Sequence, residues 1–169
     1  MVNIDEILRV NHAGEYGAKR IYEGQLAFLK NKPSYDVVQE MAKQEKPHLE
    51  YFEKAIASNQ TRPTALQPIW HVCGWALGAA TALMGEKAAM ACTEAVEHVI
   101  ADHYQEQLDE LKDSDDTELK AKIKQFRDEE IEHHDTAIEH DSQDALGHPI
   151  LFQAVQGITK AAIFLSKKI

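Results

Sequence analysis

The sequence predicts an all-α fold, a four-helix bundle with two additional apolar or amphipathic helices, and three observations predict it. Ala, Glu, Lys, Leu and Gln dominate the long segments, while only five Pro and eight Gly occur in 169 residues, a composition that favours helices over strands. Apolar residues recur three and four positions apart, the spacing of a helix with one buried face. Finally, two copies of Glu-x-x-His, Glu45-Lys46-Pro47-His48 and Glu130-Ile131-Glu132-His133, are each preceded by a lone Glu on an apolar face, Glu15 and Glu97. That order is the ligand set of a carboxylate-bridged two-metal site inside a four-helix bundle. The length suits a single domain, residues 1–169, with a sizeable core.

The pattern predicts helices over 3–30, 35–58, 67–84, 86–112, 117–141 and 149–167. The turn Asn31-Lys32-Pro33-Ser34 separates the first two, with Ser34 placed to cap the second. Two prolines between Asn59 and Pro68 end the second helix, and Met84-Gly85-Glu86 makes a corner between the third and fourth. Asp113 to Asp116 opens the fifth helix, where Asp115 and Glu118 have the spacing of a capping box. Gly147-His148-Pro149 starts the sixth. Pro47 falls inside the second helix and removes a backbone donor, so a kink or widened turn is expected there, making Glu45 and His48 the less regular half-site.

The six motif residues fall on stripes that should be buried. In the second helix the stripe reads Val38, Met41, Glu45, His48, Leu49, Phe52, Ile56, and in the fifth Leu119, Ile123, Phe126, Glu130, His133, Ala137. In the first it runs through Ile4, Leu8, Glu15, Tyr22 and Leu26, and in the fourth through Met90, Thr93, Glu97, Ile100 and Tyr104. Glu94 shares its face with Lys87, His98 and Gln105, and Glu129 with Lys122, Gln125 and Glu132; both faces are expected to be solvated. Four carboxylates aimed at one core demand compensating charge, because an unpaired buried carboxylate costs several kcal/mol or neutralises itself. Two divalent cations supply that charge.

The spacing also indicates an internal duplication. Glu15 precedes Glu45 by thirty residues and Glu97 precedes Glu130 by thirty-three. Each half is then a helical hairpin with Glu on one helix and Glu-x-x-His on the next, and a pseudo-two-fold would give each metal a His, a terminal carboxylate and a share of two bridging ones. Carboxylates and imidazoles suit iron or manganese better than a thiolate-seeking metal, and zinc could not change oxidation state. Dioxygen activation is the natural use of such a pair.

The formal charge of −10 speaks against nonspecific binding to nucleic acid. No Asp or Glu occurs from Leu66 to Gly85 or from His148 to Ile169. The first of these segments carries Trp70, Trp75 and a Gly74-x-x-x-Gly78 spacing that permits close helix approach; its apolar run is shorter than the roughly 20 residues a bilayer span needs. The second, with Lys160, Lys167 and Lys168 beside its apolar residues, has the character of a helix lying in a membrane interface. Together they point to a greasy substrate entering from a membrane. Cys73 and Cys92 lack metal-ligand spacing and read as small core residues in a reducing compartment, and no signal peptide is expected before Met1.

Three stretches of the chain, Arg9-Val10-Asn11-His12-Ala13-Gly14-Glu15-Tyr16-Gly17-Ala18, Ala89-Met90-Ala91-Cys92-Thr93 leading to Glu97, and Arg127-Asp128-Glu129-Glu130-Ile131-Glu132-His133-His134-Asp135, resemble the 5-demethoxyubiquinone hydroxylases, and the likeness covers nearly the whole chain. The resemblance implies a ferritin-like bundle with two iron ions per subunit that uses dioxygen and a reductant to hydroxylate a demethoxy-polyprenyl-benzoquinol in ubiquinone biosynthesis. It implies iron ligands at Glu15, Glu45, His48, Glu97, Glu130 and His133, and it matches His103 and Tyr104 to a His-Tyr pair near the site. Tyr104 follows Glu97 by seven residues on the same face, within reach of the metals. The Lys46-Pro47 pair inside the first motif is a departure from the family's pattern. His12 and His134 stand within a turn of ligands, with orienting and surface roles both open, while His71, His98 and His140 are expected at solvent or interfaces.

The family likeness further implies a homo-oligomer peripherally attached to an inner membrane, in contact with other ubiquinone-biosynthesis proteins. The absence of a presequence fits the cytoplasmic side of a bacterial membrane; a trimmed mitochondrial form would sit on the matrix side. Two rival readings remain at this level: an iron-storage or peroxide-scavenging protein of the same bundle class, and a metal-free helical membrane adaptor.

Overall fold

A computed structural model describes residues 2–169. Among these the chain forms six helices, α1 (Ile4–Leu29), α2 (Tyr35–Ser58), α3 (Gln67–Met84), α4 (Glu86–Glu110), α5 (Thr117–Glu139) and α6 (His148–Lys168), with a 3₁₀ turn at Ser142–Asp144 and no strand. The all-α expectation holds, and α1–α2 and α4–α5 form the two hairpins. α3 lies along α1, and α6 packs on α4 and α1.

Local chemistry sets the helix ends. Asn3 caps α1 by accepting from the Glu6 amide at 3.2 Å, and Asp116 caps α5 by accepting from Leu119 at 3.0 Å. The α5 cap is thus one residue beyond the Asp115 expected from the box spacing. Ser34 does not cap α2 with its side chain; its amide instead donates to Glu86 Oε2 at 2.9 Å, tying the α1–α2 turn to the start of α4. Gly85, at φ 124°, makes the corner between α3 and α4, where a side chain would be strained. α2 is α-helical throughout Tyr35–Ser58 with Pro47 inside it, so the expected widened turn is not seen. Pro47 is exposed, and the carbonyl it leaves unbonded one turn back, on exposed Lys43, is open to water.

α1 and α3 approach closely through glycines. A Cβ on Gly78 would stand 2.0 Å from the Ile21 carbonyl oxygen, and one on Gly24 would stand 2.2 Å from that of Trp75. The Gly74-x-x-x-Gly78 spacing therefore serves a helix crossing within the chain.

Burial follows the number of neighbours. On α2 and α5 the buried residues are the two stripes read from the sequence, with no additions. α4 is covered by α3, α5, α6 and the 3₁₀ turn, so residues 88–97 are all buried. Glu94, expected in water, is consequently buried and lies 2.8 Å from His148 Nε2 at the start of α6. Cys92 is buried as expected, but Cys73 is exposed, at the mouth of an apolar cavity between α3 and its neighbours.

Candidate metal centre

Glu15 on α1, Glu45 and His48 on α2, Glu97 on α4, and Glu130 and His133 on α5 all lie within the bundle and are at most 2 % exposed. Their ligand atoms form two overlapping groups, Glu15–Glu45–His48–Glu130 and Glu45–Glu97–Glu130–His133, each with its atoms within 4.8 Å of one another. The two groups share Glu45 and Glu130. Glu45 turns Oε2 toward His48 Nδ1 at 3.5 Å and Oε1 toward His133 Nδ1 at 2.8 Å. Glu130 does the same, with Oε1 at 3.1 Å from His48 Nδ1 and Oε2 at 3.4 Å from His133 Nδ1. Each shared carboxylate thus gives one oxygen to each half, the geometry of a bridge, while Glu15 and Glu97 each serve one half.

The cluster fits cations on its own terms. Glu15 Oε2, Glu45 Oε2, Glu97 Oε2 and Glu130 Oε2 are buried without a well-formed hydrogen bond. Native interiors rarely leave so many polar atoms unpaired, and here they converge. Oxygen and imidazole donors in two sets of four match divalent iron or manganese.

Without cations the cluster retains protons instead. Burial pushes Glu15 up to about 8, with Glu130 and Glu45 adding to the effect against an opposing contact with His48. Burial, then the neighbouring Glu130 and Glu45, hold Glu97 well above the usual carboxylate range. Burial acts upward on Glu45 too, but contacts with His133 and His48 outweigh it and hold that carboxyl low. Burial opposes charge on His133 and His48, yet the surrounding carboxylates win: His133 is raised to about 11, and His48 is also raised strongly.

Two tyrosines and two polar side chains surround the cluster. The Tyr104 hydroxyl donates to Glu15 Oε1, and the Tyr22 hydroxyl donates to Glu97 Oε1 at 2.7 Å. Tyr22 is a stripe residue seven positions after Glu15, the same offset that separates Tyr104 from Glu97, so its role was legible from the signal that marks Tyr104. Beyond the histidines, His48 Nε2 meets Glu129 Oε2 and His133 Nε2 lies 2.9 Å from Gln44 Oε1. Glu129 is partly exposed and stays outside the cluster, as expected, but it is a partner of His48 as well as a surface residue. Neither Gln44 nor Glu129 could be found by periodicity, because both lie off the buried stripes.

The structure places His103 elsewhere. It is buried on α4, with Nε2 at 2.9 Å from Gln107 Nε2 and Nδ1 at 3.7 Å from Glu106; its polar contacts include none of the six. Gln107 and Asn11 exchange two hydrogen bonds of 2.8 Å between α4 and α1. Burial and then Lys167 lower His103 to about 4, so its ring is neutral near pH 7. His12 is also buried with Nδ1 unpartnered, and His134 contacts Asp135 at the surface. His71 and His140 are exposed, as expected, and His98 is partly covered, its ring tilted against those of Phe152 and His134.

An apolar cavity of about 90 Å³ lies between α1, α3, α4 and α6, with none of the six cluster residues in its lining. Gly14, which precedes Glu15, and Val96, which precedes Glu97, line it, as do Gly74, Leu77 and Ile158. Nearby, α3 and α6 present Val72, Trp75, Ile150 and Phe164 to the exterior. Helix α6 is long and apolar enough to cross a bilayer by length and composition. It is nonetheless fastened along the bundle, by Trp70 Nε1 donating to Ser166 at 3.0 Å and by buried Val155.

Comparison with known proteins adds a consistent picture. The family model described as "Ubiquinone biosynthesis protein COQ7" matches residues 2–166. The chain is 50 % identical over 168 residues to the mitochondrial NADPH-dependent 3-demethoxyubiquinone 3-hydroxylase of Rattus norvegicus, covering 98 % of this chain and 77 % of the relative. It is 48 % identical over 167 residues to the 3-demethoxyubiquinol 3-hydroxylase of Rhodospirillum rubrum, covering 98 % and 78 %. It is 37 % identical over 182 residues to the mitochondrial 5-demethoxyubiquinone hydroxylase of Saccharomyces cerevisiae, again covering 98 % and 78 %.

Proposed function

Since the chain belongs to the COQ7 family of ubiquinone biosynthesis proteins, we propose that it is a di-iron monooxygenase that hydroxylates the ring of a demethoxy-polyprenyl-benzoquinol, in a bundle of ferritin-like form. The observation that carries this reading is the division of the Glu45 and Glu130 oxygens between two histidines, with Gly14 and Val96, each next to a cluster carboxylate in sequence, lining an apolar cavity. Two iron ions held by Glu15, Glu45, His48, Glu97, Glu130 and His133 supply the redox chemistry of dioxygen when reduced.

The chain's own residues do the rest. Gly14 and Gly17, with no side chains to obstruct it, leave room in the cavity for a flat ring beside α1, and Leu77, Ile100 and Ile158 give it an apolar wall. Tyr104 fixes one oxygen of Glu15 so that the other points into the cluster, and Tyr22 does so for Glu97. His103, neutral and held by Gln107, positions the α4–α1 contact one turn from Glu15 without touching the reacting atoms.

The exposed apolar residues of α3 and α6, with Lys160, Lys167 and Lys168 beside them, suit a helix pair lying on an anionic membrane surface. The protein then sits peripherally on an inner membrane, on the cytoplasmic side in a bacterium or the matrix side in a mitochondrion, and takes its isoprenoid substrate from the lipid. A homo-oligomer and contacts with other ubiquinone-biosynthesis proteins belong to the same reading. A storage shell would need polar outer faces, which Trp75 and Phe164 do not provide.

The test is a reaction under ¹⁸O₂ with ferrous-loaded protein, a chemical reductant and a short-tailed demethoxyquinol. The reading expects one labelled oxygen in the new ring hydroxyl and none with Glu97→Ala. Absence of labelled product from protein carrying two irons would refute it.

A further inference from the structure

The two half-sites differ in the group that holds the far side of each histidine. Gln44 immediately precedes Glu45 on α2, and Glu129 immediately precedes Glu130 on α5. Each crosses to the histidine of the opposite helix: Gln44 Oε1 lies 2.9 Å from His133 Nε2, and Glu129 Oε2 contacts His48 Nε2. The positions are related by the same pseudo-two-fold as the ligands, yet one bears an amide and the other a carboxylate.

With a metal on Nδ1, each imidazole would keep its hydrogen on Nε2 and donate it outward. His133 donates to a neutral carbonyl oxygen. His48 donates to an anionic carboxylate, a charge-assisted bond roughly twice as strong, which pulls the hydrogen outward and makes Nδ1 the more basic ligand. Gln125 Nε2 donates to the other oxygen of Glu129 at 2.9 Å and fixes its orientation. No corresponding charge stands behind His133 in this pair of contacts.

We propose that Glu129 is a positioning residue that makes the two metals unequal, so that the His48–Glu15 half-site binds a divalent cation more tightly than the His133–Glu97 half-site. The proposal rests on the two-metal reading of the six ligands. The tighter half also favours the higher oxidation state of its metal, because a more basic imidazole stabilises the more highly charged ion.

Anaerobic calorimetric titration of the metal-free protein with Fe²⁺ separates the possibilities, with ⁵⁷Fe Mössbauer spectra of the diferrous protein as a second readout. Wild type is expected to bind two equivalents in two resolved steps and to show two quadrupole doublets. Glu129→Gln, nearly isosteric and partly exposed, should still bind two equivalents, with the tighter step weakened about 10–100-fold and the doublets drawn together. Gln44→Glu should tighten the weaker step. Two equivalents bound with Glu129→Gln leaving both steps and both doublets unchanged, or weakening both steps equally, would overturn the proposal. Fewer than two equivalents in wild type would overturn the two-metal reading and the proposal with it.

Discussion

Tyr22 on α1 donates its hydroxyl hydrogen to Glu97 on α4 at 2.7 Å, and Tyr104 on α4 donates to Glu15 on α1, the same relation reversed. Each Tyr follows the Glu of its own helix by seven residues, two helical turns on one face. The hydroxyl of each helix therefore occupies one oxygen of the other helix's carboxylate. Glu15 and Glu97 are left with one unbonded oxygen each, Oε2 in both cases, as unshared ligands require.

Tyr22→Phe removes that donor and leaves Glu97 Oε1 buried without a partner, a cost of about 1–3 kcal/mol. The expected result is a melting temperature lower by about 2–10 °C, with iron bound about tenfold more weakly. Differential scanning calorimetry and metal titration check it; unchanged values for both would mean the contact contributes nothing.

Shared and unshared carboxylates should respond differently to removal. Glu45→Ala takes an oxygen from both halves and is expected to bring iron content to well below one per chain. Glu97→Ala affects one half and should leave about one iron at the Glu15–His48 half. Metal analysis after anaerobic reconstitution reads both ratios. Equal loss in the two variants would argue against Glu45 as a bridge.

Stability of the metal-free protein should fall as pH rises from 6 to 9. Glu15 stands at about 8 in the folded protein against an ordinary 4.5, so the folded state holds an extra proton and loses stability as pH climbs through that window. His133, raised from 6.5 to about 11, contributes stability that is complete below 6.5 and is lost as pH rises toward 11. The two effects have the same sign here, and the depressed Glu45 matters only in acid, below its ordinary 4.5. Metal binding displaces these protons and should tighten with pH. Urea denaturation at several pH values, with and without Fe²⁺, measures the slopes; a metal-free protein whose stability rises from pH 6 to 9 would contradict the assignment.

Ile150→Glu combined with Phe164→Glu changes two side chains that are 78 % and 60 % exposed on α6. Such changes typically alter folding stability by no more than about 0.5 kcal/mol each, so iron content should be retained. Binding to vesicles of mixed neutral and anionic lipid, measured by flotation, should drop by about tenfold or more. Undiminished flotation would place the membrane surface elsewhere on the molecule.

The sequence made some elements readable and hid others for a physical reason. α2 and α5 each have one covered face and one wet face, so the stripes from Val38 to Ile56 and from Leu119 to Ala137 coincide with the buried residues. α4 is enclosed by several neighbours, and no single periodicity describes it; the pattern predicts a wet Glu94, yet the start of α6 covers it. Pro47 gave a true breaker signal, but its ring faces outward and the helix continues. His103 came only from the family likeness, and its partners Gln107 and Asn11 are brought together by the α1–α4 contact, which no local pattern encodes. The outward partners Gln44 and Glu129 are off-stripe residues whose role exists only once α2 and α5 face each other.

The most direct measurement is an anomalous-difference map at the iron absorption edge from crystals grown anaerobically with ferrous iron. Two peaks are predicted, one between Glu15 and His48 and one between Glu97 and His133, with the carboxylates of Glu45 and Glu130 spanning both. A single peak, or iron bound away from these six residues in protein that hydroxylates the quinol, would contradict the di-iron centre.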